Sequence, residues 1–257
     1  FFSRFLNKNF LSFVNRNNIK IQARSIFLQG LLLDEEIQNN FFYKYKKYFD
    51  KYLSKVENKQ IIENLIEFQI NLPIIWINQE HSSKVQEIKK NSSVLINACD
   101  GLYTQCSLQA LAIKTADCLP LILSSKDGKE ISALHVGWRG LQKGIIENAL
   151  SFFKCDLKDI MTWMAPCISA QNYQVGEDVY ASFISSDNKS ISSFKPTERK
   201  DKWLFSLTNE CTRRLERFNI KVIANKFCTF RDKEFFYSFR REQSLERMVT
   251  LVWRNNE

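Results

Sequence analysis

The chain has 257 residues, 44% apolar and 25% charged, a composition typical of a globular protein rather than of a fibrous or low-complexity one. No apolar run approaches the roughly 20 residues that a bilayer-spanning helix needs, so no membrane partner is expected. The formal net charge of +9 comes from scattered Lys and Arg residues, which indicate a solvated basic surface rather than a nucleic-acid footprint. Seven cysteines without a C-x-x-C pair favour a reducing, cytoplasmic compartment over a disulfide framework.

The predicted elements mix strands and helices. The first 33 residues lack acidic side chains, which is typical of an organellar transit segment, although residues 19–33 also suit a first strand region. Further strands are predicted over residues 73–78, 108–114, 119–123, 131–136, 221–224 and 248–253, with an Asp-Gly turn at 126–129. Helices are predicted over residues 55–68, 141–153, 177–184 and 204–217. Without repeats, linkers or strict β-α-β alternation, residues 1–257 are expected to form one domain of the α+β class.

The two histidines of the chain and one of its cysteines lie next to predicted strand ends. His81 follows the strand at 73–78, Cys118 lies in a polar turn between two apolar strands, and His135 lies near the end of the strand before Gly137. Their separations are too long for a zinc finger and suit ligands from three strand ends. Two imidazoles and a thiolate form a known three-ligand set for catalytic zinc, whose fourth position stays open. Spacing alone also allows three unrelated residues.

Several motifs resemble one known family over roughly residues 70–254. They are QEHS at 79–82, DGLYT at 100–104, TADCLP at 115–120, HVGWRG at 135–140, PCI at 166–168, YQVG at 173–176, CT at 228–229, FYSFRR at 236–241 and RM at 247–248. The family was once called multicopper polyphenol oxidase or laccase-like, and its members are described as zinc-dependent purine nucleoside phosphorylases.

The resemblance implies a β-sandwich-like core flanked by helices, with His81, Cys118 and His135 as ligands of zinc, or alternatively of copper. It also implies phosphorolysis of adenosine, inosine and S-methyl-5′-thioadenosine by inorganic phosphate, with adenosine deamination as a side activity. The oligomeric state stays open.

Four further residues are candidates for catalysis beside the metal. Arg139, in the Gly-flanked loop before a predicted helix, and the pair Arg240 and Arg241 are candidates for an anion site, although each also suits a structural role. Asp117 suits an acid/base role or an outer partner of a ligand, although its position favours a turn-forming aspartate that caps backbone groups. Asp100, directly before Gly101, is interpreted as a turn signal.

Two other functions remain open. A metal-free cysteine hydrolase or deamidase would use Cys118 as nucleophile and His135 as base. A metal-binding protein without turnover would fit the absence of the family's amino-terminal Arg-Gly-Gly segment over residues 25–36. A multicopper oxidase is disfavoured, because two histidines cannot build several histidine-rich copper centres.

Overall fold

Two large β-sheets organise the computed structural model, which describes residues 19–25, 72–107, 109–224, 227–243 and 245–254. In chain order, its strands are β1 (Ile19–Ser25), β2 (Ile74–Ile77), β3 (Val85–Ile88), β4 (Leu95–Ile96), β5 (Gly101–Thr104), β6 (Ala110–Thr115), β7 (Leu119–Ser125), β8 (Ile131–Val136), β9 (Ile160–Met164), β10 (Gln174–Gly176), β11 (Phe194–Pro196), β12 (Lys202–Phe205), β13 (Lys221–Ala224) and β14 (Met248–Arg254). Its α-helices are α1 (Trp138–Gln142), α2 (Ile145–Leu150), α3 (Glu177–Ser186), α4 (Leu207–Glu216) and α5 (Phe239–Glu242).

Both large sheets are mixed. The five-stranded sheet has the order β1-β14-β6-β2-β4, in which β1, β14 and β6 are antiparallel neighbours and β6, β2 and β4 run parallel. The six-stranded sheet has the order β13-β9-β7-β8-β5-β3, with antiparallel central pairs and a parallel pair at each edge. A small antiparallel sheet has the order β10-β12-β11.

The two large sheets share one apolar core. Alternate residues of a strand point to opposite faces, and Leu111 and Ile113 of β6 pack into the same buried cluster as Ile122 of β7 and Trp163 of β9. The other face of β7, which includes Leu121, packs instead in a cluster with residues of α1 to α4. The described residues therefore form a β-sandwich-like α+β fold in which α1 to α4 pack against the six-stranded sheet, as the sequence predicts.

Two predicted helices differ from the structure. The helix predicted over 141–153 is two short helices, α1 and α2, separated by Gly144 at φ 86. The helix predicted over 204–217 begins only at Leu207, because Leu204 belongs to β12 and the Ser206 side chain accepts a hydrogen bond from the Asn209 amide as N-cap. The helix predicted over 55–68 lies outside the described residues. Across the described ranges, no helix has the length and apolar character needed to cross a bilayer.

Candidate metal centre

The segment that carries His81 is anchored to the five-stranded sheet by the side chain of Gln79. Gln79, two residues after the end of β2, donates from Nε2 to the Lys114 carbonyl oxygen at 2.7 Å and accepts from the Lys114 amide at 2.8 Å. The amide side chain thus imitates one more backbone pair between β2 and β6. This clamp fixes where the chain leaves the sheet and enters the segment that carries His81.

Cys118 lies in the tight connection between β6 and β7, directly after Asp117 at φ 90. The buried Asp117 carboxylate accepts hydrogen bonds from Thr229 Oγ1 at 2.6 Å, Ser238 Oγ at 3.0 Å and the Arg240 amide at 2.6 Å. All three donors come from one later stretch of chain. Asp117 therefore has the geometry of a turn-forming residue that ties this stretch to the connection carrying Cys118.

His135 is in β8, opposite Pro120 of β7, and is only 3% exposed. Its Nδ1 lies 2.7 Å from Oδ1 of Asp100, which is fully buried. Because Nδ1 is engaged by a carboxylate, Nε2 is the ring nitrogen left to act as a ligand.

The three predicted ligands converge. Their donor atoms all lie within 4.8 Å of one another, and His81 Nε2 is 3.9 Å from Cys118 Sγ. The two imidazole rings meet edge to face, with centroids 4.7 Å apart. His81 is exposed, Cys118 half-buried and His135 buried, so the cluster opens to solvent on one side. Two nitrogens and one sulfur with an open side fit zinc with a free fourth position.

The backbone at Gly137 leaves room for these side chains. A Cβ atom at this position would lie 2.9 Å from Cδ2 of His81 and 3.2 Å from Sγ of Cys118. Contacts this short are not tolerated without displacement of the two ligands. The glycine that precedes α1 is therefore part of the wall of the metal centre.

Asp100 organises the segment around His81 as well as holding His135. Its Oδ1 accepts from the His81 amide at 2.9 Å, and its Oδ2 accepts from the amides of Glu80 and Ser82 at 3.1 and 2.6 Å. The Ser82 hydroxyl also donates to Oδ2, at 2.8 Å. The interpretation of Asp100 as a turn signal missed this role. The available signal was a charge directly before the apolar stretch of β5, where burial demands partners.

Charges of the cluster shift one another's pKa values. Burial raises the pKa of the Cys118 thiol, but His135 and His81 outweigh it and lower that pKa to about 6. Burial lowers the pKa of His135, but the Cys118 thiolate and Asp100 prevail and raise it to about 9. Burial raises the pKa of Asp100, yet hydrogen bonds from His135 and Ser82 lower it to about 2. In each of the three groups the shift of the pKa favours the charged form: thiolate, imidazolium and carboxylate.

The three predicted arginines have different surroundings. Arg241 donates from Nη1 to the carbonyl oxygens of Thr229 and Phe230, at 2.7 and 2.6 Å, and its guanidinium is locked against that turn. Arg139 is exposed, and its guanidinium lies over the Trp138 ring at 4.4 Å from the centroid. Arg240 is also exposed and donates one hydrogen bond to a backbone carbonyl oxygen. Arg139 and Arg240 therefore retain donors for an anion, whereas Arg241 has a structural position.

Tyr173 is a neighbour that the sequence analysis did not single out. The Arg240 guanidinium lies over its ring, 5.3 Å from the centroid. Burial raises the pKa of the Tyr173 hydroxyl, as does the Cys118 thiolate, whereas the charges of Arg240 and Arg139 act in the opposite direction. Tyr173 therefore lies directly beside Arg240, one of the two anion candidates.

Known proteins resemble this chain over most of its length. Residues 46–255 match the family described as multi-copper polyphenol oxidoreductase laccase. A Haemophilus influenzae protein named purine nucleoside phosphorylase is 34% identical over 181 residues, 70% of this chain and 73% of that protein. An Escherichia coli protein named purine nucleoside phosphorylase YfiH is 30% identical over 186 residues, 71% of this chain and 75% of that protein. The crystal structure of Neisseria meningitidis protein NMB0706 superimposes with a TM-score of 0.72 at 28% identity, covering 76% of this chain and 80% of that one. The chain therefore belongs to the multi-copper polyphenol oxidoreductase laccase family, and its Haemophilus influenzae and Escherichia coli relatives carry the name purine nucleoside phosphorylase.

Proposed function

We propose that this chain is a zinc-dependent purine nucleoside phosphorylase. The observation that carries the proposal is the convergence of His81, Cys118 and His135 within 4.8 Å, in a chain whose relatives are named for this reaction. The substrates would be inorganic phosphate and adenosine, inosine or S-methyl-5′-thioadenosine. The seven cysteines are all free, which supports action in a reducing compartment such as the cytoplasm.

Zinc held by the three ligands would supply Lewis-acid chemistry at its open position. The ligand set also accepts copper, and the chain's two histidines restrict it to a single centre. His135, turned by Asp100, presents Nε2 to the site, and Gly137 keeps the space beside His81 and Cys118 free.

In phosphorolysis, a phosphate oxygen attacks C1′ of the ribose while the bond from C1′ to the purine nitrogen breaks. The bonding pair leaves with the base, which takes up the proton that phosphate gives up, and the sugar leaves as its 1-phosphate. The protein's main contribution is to hold phosphate in line and to balance the developing charge. We assign Arg139 and Arg240, whose guanidinium groups are exposed, to phosphate, and we assign Asp117 and Arg241 to positioning of the Arg240 segment.

Adenosine deamination is proposed as a side activity. Water adds to C6 of the base and ammonia leaves, which requires a group that carries a proton between them. Asp117 is the candidate carboxylate, but it already accepts three hydrogen bonds from Thr229, Ser238 and the Arg240 amide. A carboxylate so occupied is a poor proton carrier, which supports deamination as the minor reaction.

Chromatography of the nucleosides tests this proposal. The zinc-loaded protein is incubated with adenosine, inosine or S-methyl-5′-thioadenosine, with and without phosphate. We expect free base to appear only with phosphate, and His81→Ala to abolish its release. Base release that ignores phosphate would indicate hydrolysis, and its absence under all conditions would refute the proposal.

A metal-free cysteine hydrolase or deamidase is a second candidate, favoured by one specific arrangement. Asp100, His135 and Cys118 form a carboxylate–imidazole–thiol series like that of cysteine hydrolases, in which a third group orients the base. His81 separates the two functions. A metal enzyme loses activity in His81→Ala, whereas a cysteine hydrolase keeps it and loses activity on alkylation of Cys118.

A further inference from the structure

We infer that Asp100 is the positioning residue of the metal centre: its single carboxylate sets the direction of both histidine ligands. The inference rests on the proposed function in so far as it assumes that the cluster binds a metal. It concerns how this chain assembles the centre, and it predicts effects on metal affinity and imidazole geometry that do not depend on turnover.

The first half of the argument concerns His81. This residue has φ 57, a left-handed conformation that is unfavourable for a non-glycine residue. With His81 in that conformation, the amides of residues 80 to 82 all point at the Asp100 carboxylate. Successive amides that converge in this way form a concave anion site. Here the anion is a side chain of the protein itself, and its charge stabilises the turn that presents the exposed imidazole.

The second half concerns His135. The Oδ1 atom that accepts from the His81 amide also receives the contact from Nδ1 of His135, at 2.7 Å. The backbone amide of His81 and the imidazole of His135 therefore contact the same oxygen atom. Asp100 is also held by its backbone, because its carbonyl oxygen accepts from the His135 amide at 2.7 Å. A displacement of Asp100 would thus move both histidines.

A carboxylate is the one side chain of this size that satisfies these contacts. Five donors converge on Asp100: three backbone amides, the Ser82 hydroxyl and the His135 ring nitrogen. An asparagine offers one oxygen and one NH₂ group. If its NH₂ group takes the place of Oδ2, the amides of Glu80 and Ser82 lose their acceptor. If it takes the place of Oδ1, the His81 amide loses its acceptor, and His135 is favoured with a bare Nδ1 and its proton on Nε2, the atom needed for the metal.

Cobalt(II) binding to Asp100→Asn tests the inference. Cobalt reports thiolate ligation and coordination geometry through its absorption bands, and zinc competition gives the affinity. We expect Asp100→Asn to bind about 10- to 100-fold more weakly, the usual effect of removing an outer partner of a ligand histidine. Glu130→Gln is the matched control, because the buried Glu130 carboxylate also accepts two backbone amides, those of Lys154 and Cys155, but touches no histidine.

The imidazole resonances give a second readout that a general loss of stability would not produce. The chain has two histidines, so a long-range proton–nitrogen NMR spectrum of the zinc-loaded protein contains two imidazoles, His81 and His135. We expect zinc on Nε2 of His135 and a downfield Nδ1 proton donated to Asp100. In Asp100→Asn this proton signal should disappear or move upfield, because the proton no longer faces a carboxylate, and it should be unchanged in Glu130→Gln.

Ser82→Ala keeps the test decisive if Asp100→Asn does not fold. It removes one hydroxyl donor to Oδ2 and should weaken metal binding about 2- to 10-fold. If Asp100→Asn folds, unchanged metal affinity and spectra in that variant would overturn the inference. If it does not fold, unchanged metal affinity in Ser82→Ala would do so. An equal loss of metal affinity in Glu130→Gln would also overturn the inference. If the unaltered chain bound neither cobalt nor zinc, the proposed metal-dependent function would fail, and the inference with it.

Discussion

The backbone at Gly137 passes directly beside two of the three proposed ligands. We predict that Gly137→Ala weakens zinc binding at least about 10-fold, since the new methyl group would contact Cδ2 of His81 at 2.9 Å and Sγ of Cys118 at 3.2 Å. Chelator competition measures the affinity, and thermal unfolding shows whether the fold is retained.

A second glycine provides the control for that variant. In Gly176→Ala the new Cβ would meet Oδ1 of Asp178, the tip of an exposed side chain that can turn away. Zinc affinity should be unchanged there. Equal affinity in both variants would show that the close approach at Gly137 has no bearing on the metal centre.

The seven cysteines should differ sharply in reactivity. The pKa of Cys118 is lowered to about 6, so in the metal-free protein it is largely thiolate at pH 7, whereas burial raises the pKa of Cys99 and Cys155 to about 11. We predict that iodoacetamide modifies Cys118 first, at a rate that falls only below about pH 6, and that zinc protects it. Peptide mass spectrometry measures this. Faster reaction of the half-buried Cys106 would contradict the prediction.

Sequence motifs were sufficient to nominate the candidate ligands, but not the residues that position them. His81, Cys118 and His135 carry distinctive chemistry, so few residue types had to be considered. Asp100 acts by accepting hydrogen bonds from consecutive amides. These hydrogen bonds depend on a left-handed backbone conformation at His81, which the local sequence does not predict. Arg241 shows the reverse limit. Its charge suggested an anion site, but a turn that surrounds it uses its donors.

At the scale of elements, Gly144 decides the shape of the helical segment after β8. The apolar periodicity of residues 141–153 predicted a continuous helix, but Gly144 adopts φ 86 and separates α1 from α2. In a continuous helix, Gly144→Ala would stabilise the protein by about 1 kcal/mol. In this fold it should destabilise by about 1–2 kcal/mol, because a Cβ is strained in the left-handed region. Urea unfolding gives the sign, and a stabilised variant would refute the two-helix arrangement.

A buried charge cluster joins α4 to the 3₁₀ helix over Asn188–Ser193. Glu210 is fully buried and accepts hydrogen bonds from Arg213 and Arg214 of α4 and from Ser190 and Ser193 of the 3₁₀ helix. Burial raises its pKa, but the two arginines outweigh this and hold the pKa below the ordinary value of 4.5. The cluster's contribution is therefore complete above about pH 4.5 and is lost as pH falls through the folded-state pKa.

Glu210→Gln should therefore destabilise the fold by about 3–5 kcal/mol at pH 7, because it removes the buried carboxylate that lies 2.9 Å from the buried Arg214 and leaves this arginine only the longer contact with Glu147, at 3.5 Å. The difference from the unaltered protein should shrink below about pH 4.5. Urea unfolding at pH 7, 5 and 4 checks both statements. Asp156→Asn, which removes an exposed ion pair, is the control and should change little at any pH. A pH-independent difference would contradict the assignment.

For the whole molecule, the proposed metal ligands connect separate parts of the sandwich. His81 follows a strand of the five-stranded sheet, His135 belongs to the six-stranded sheet, and Cys118 lies in the connection between β6 and β7. A ligand that binds only the folded chain stabilises it, by about 4 kcal/mol at a concentration 1,000-fold above Kd. We predict that zinc raises the melting temperature and that His81→Ala removes this dependence. Calorimetry with and without a chelator measures it.

The fold class was predictable from the sequence, whereas the order of strands was not. Apolar runs such as residues 131–136 are long, regular and bounded by turn residues, so their type follows from local chemistry. Strand order depends on pairings between distant segments, such as β2 with β6 or β9 with β13. At Leu204, where β12 is followed closely by α4, the predicted helix began too early, because apolar residues fit both the strand and the helix pattern.

The pairing of β1 with β14 also bears on how the protein is made. Residues 19–25 lie in register against residues 248–254, and β14 separates β1 from β6 in the five-stranded sheet. During translation, β1 emerges more than 200 residues before its neighbour, at a ribosome speed of about 5–20 residues per second. For at least about ten seconds, β1 therefore has no native partner strand. During that time its unpaired edge is exposed to aggregation, the hazard against which chaperones protect nascent chains.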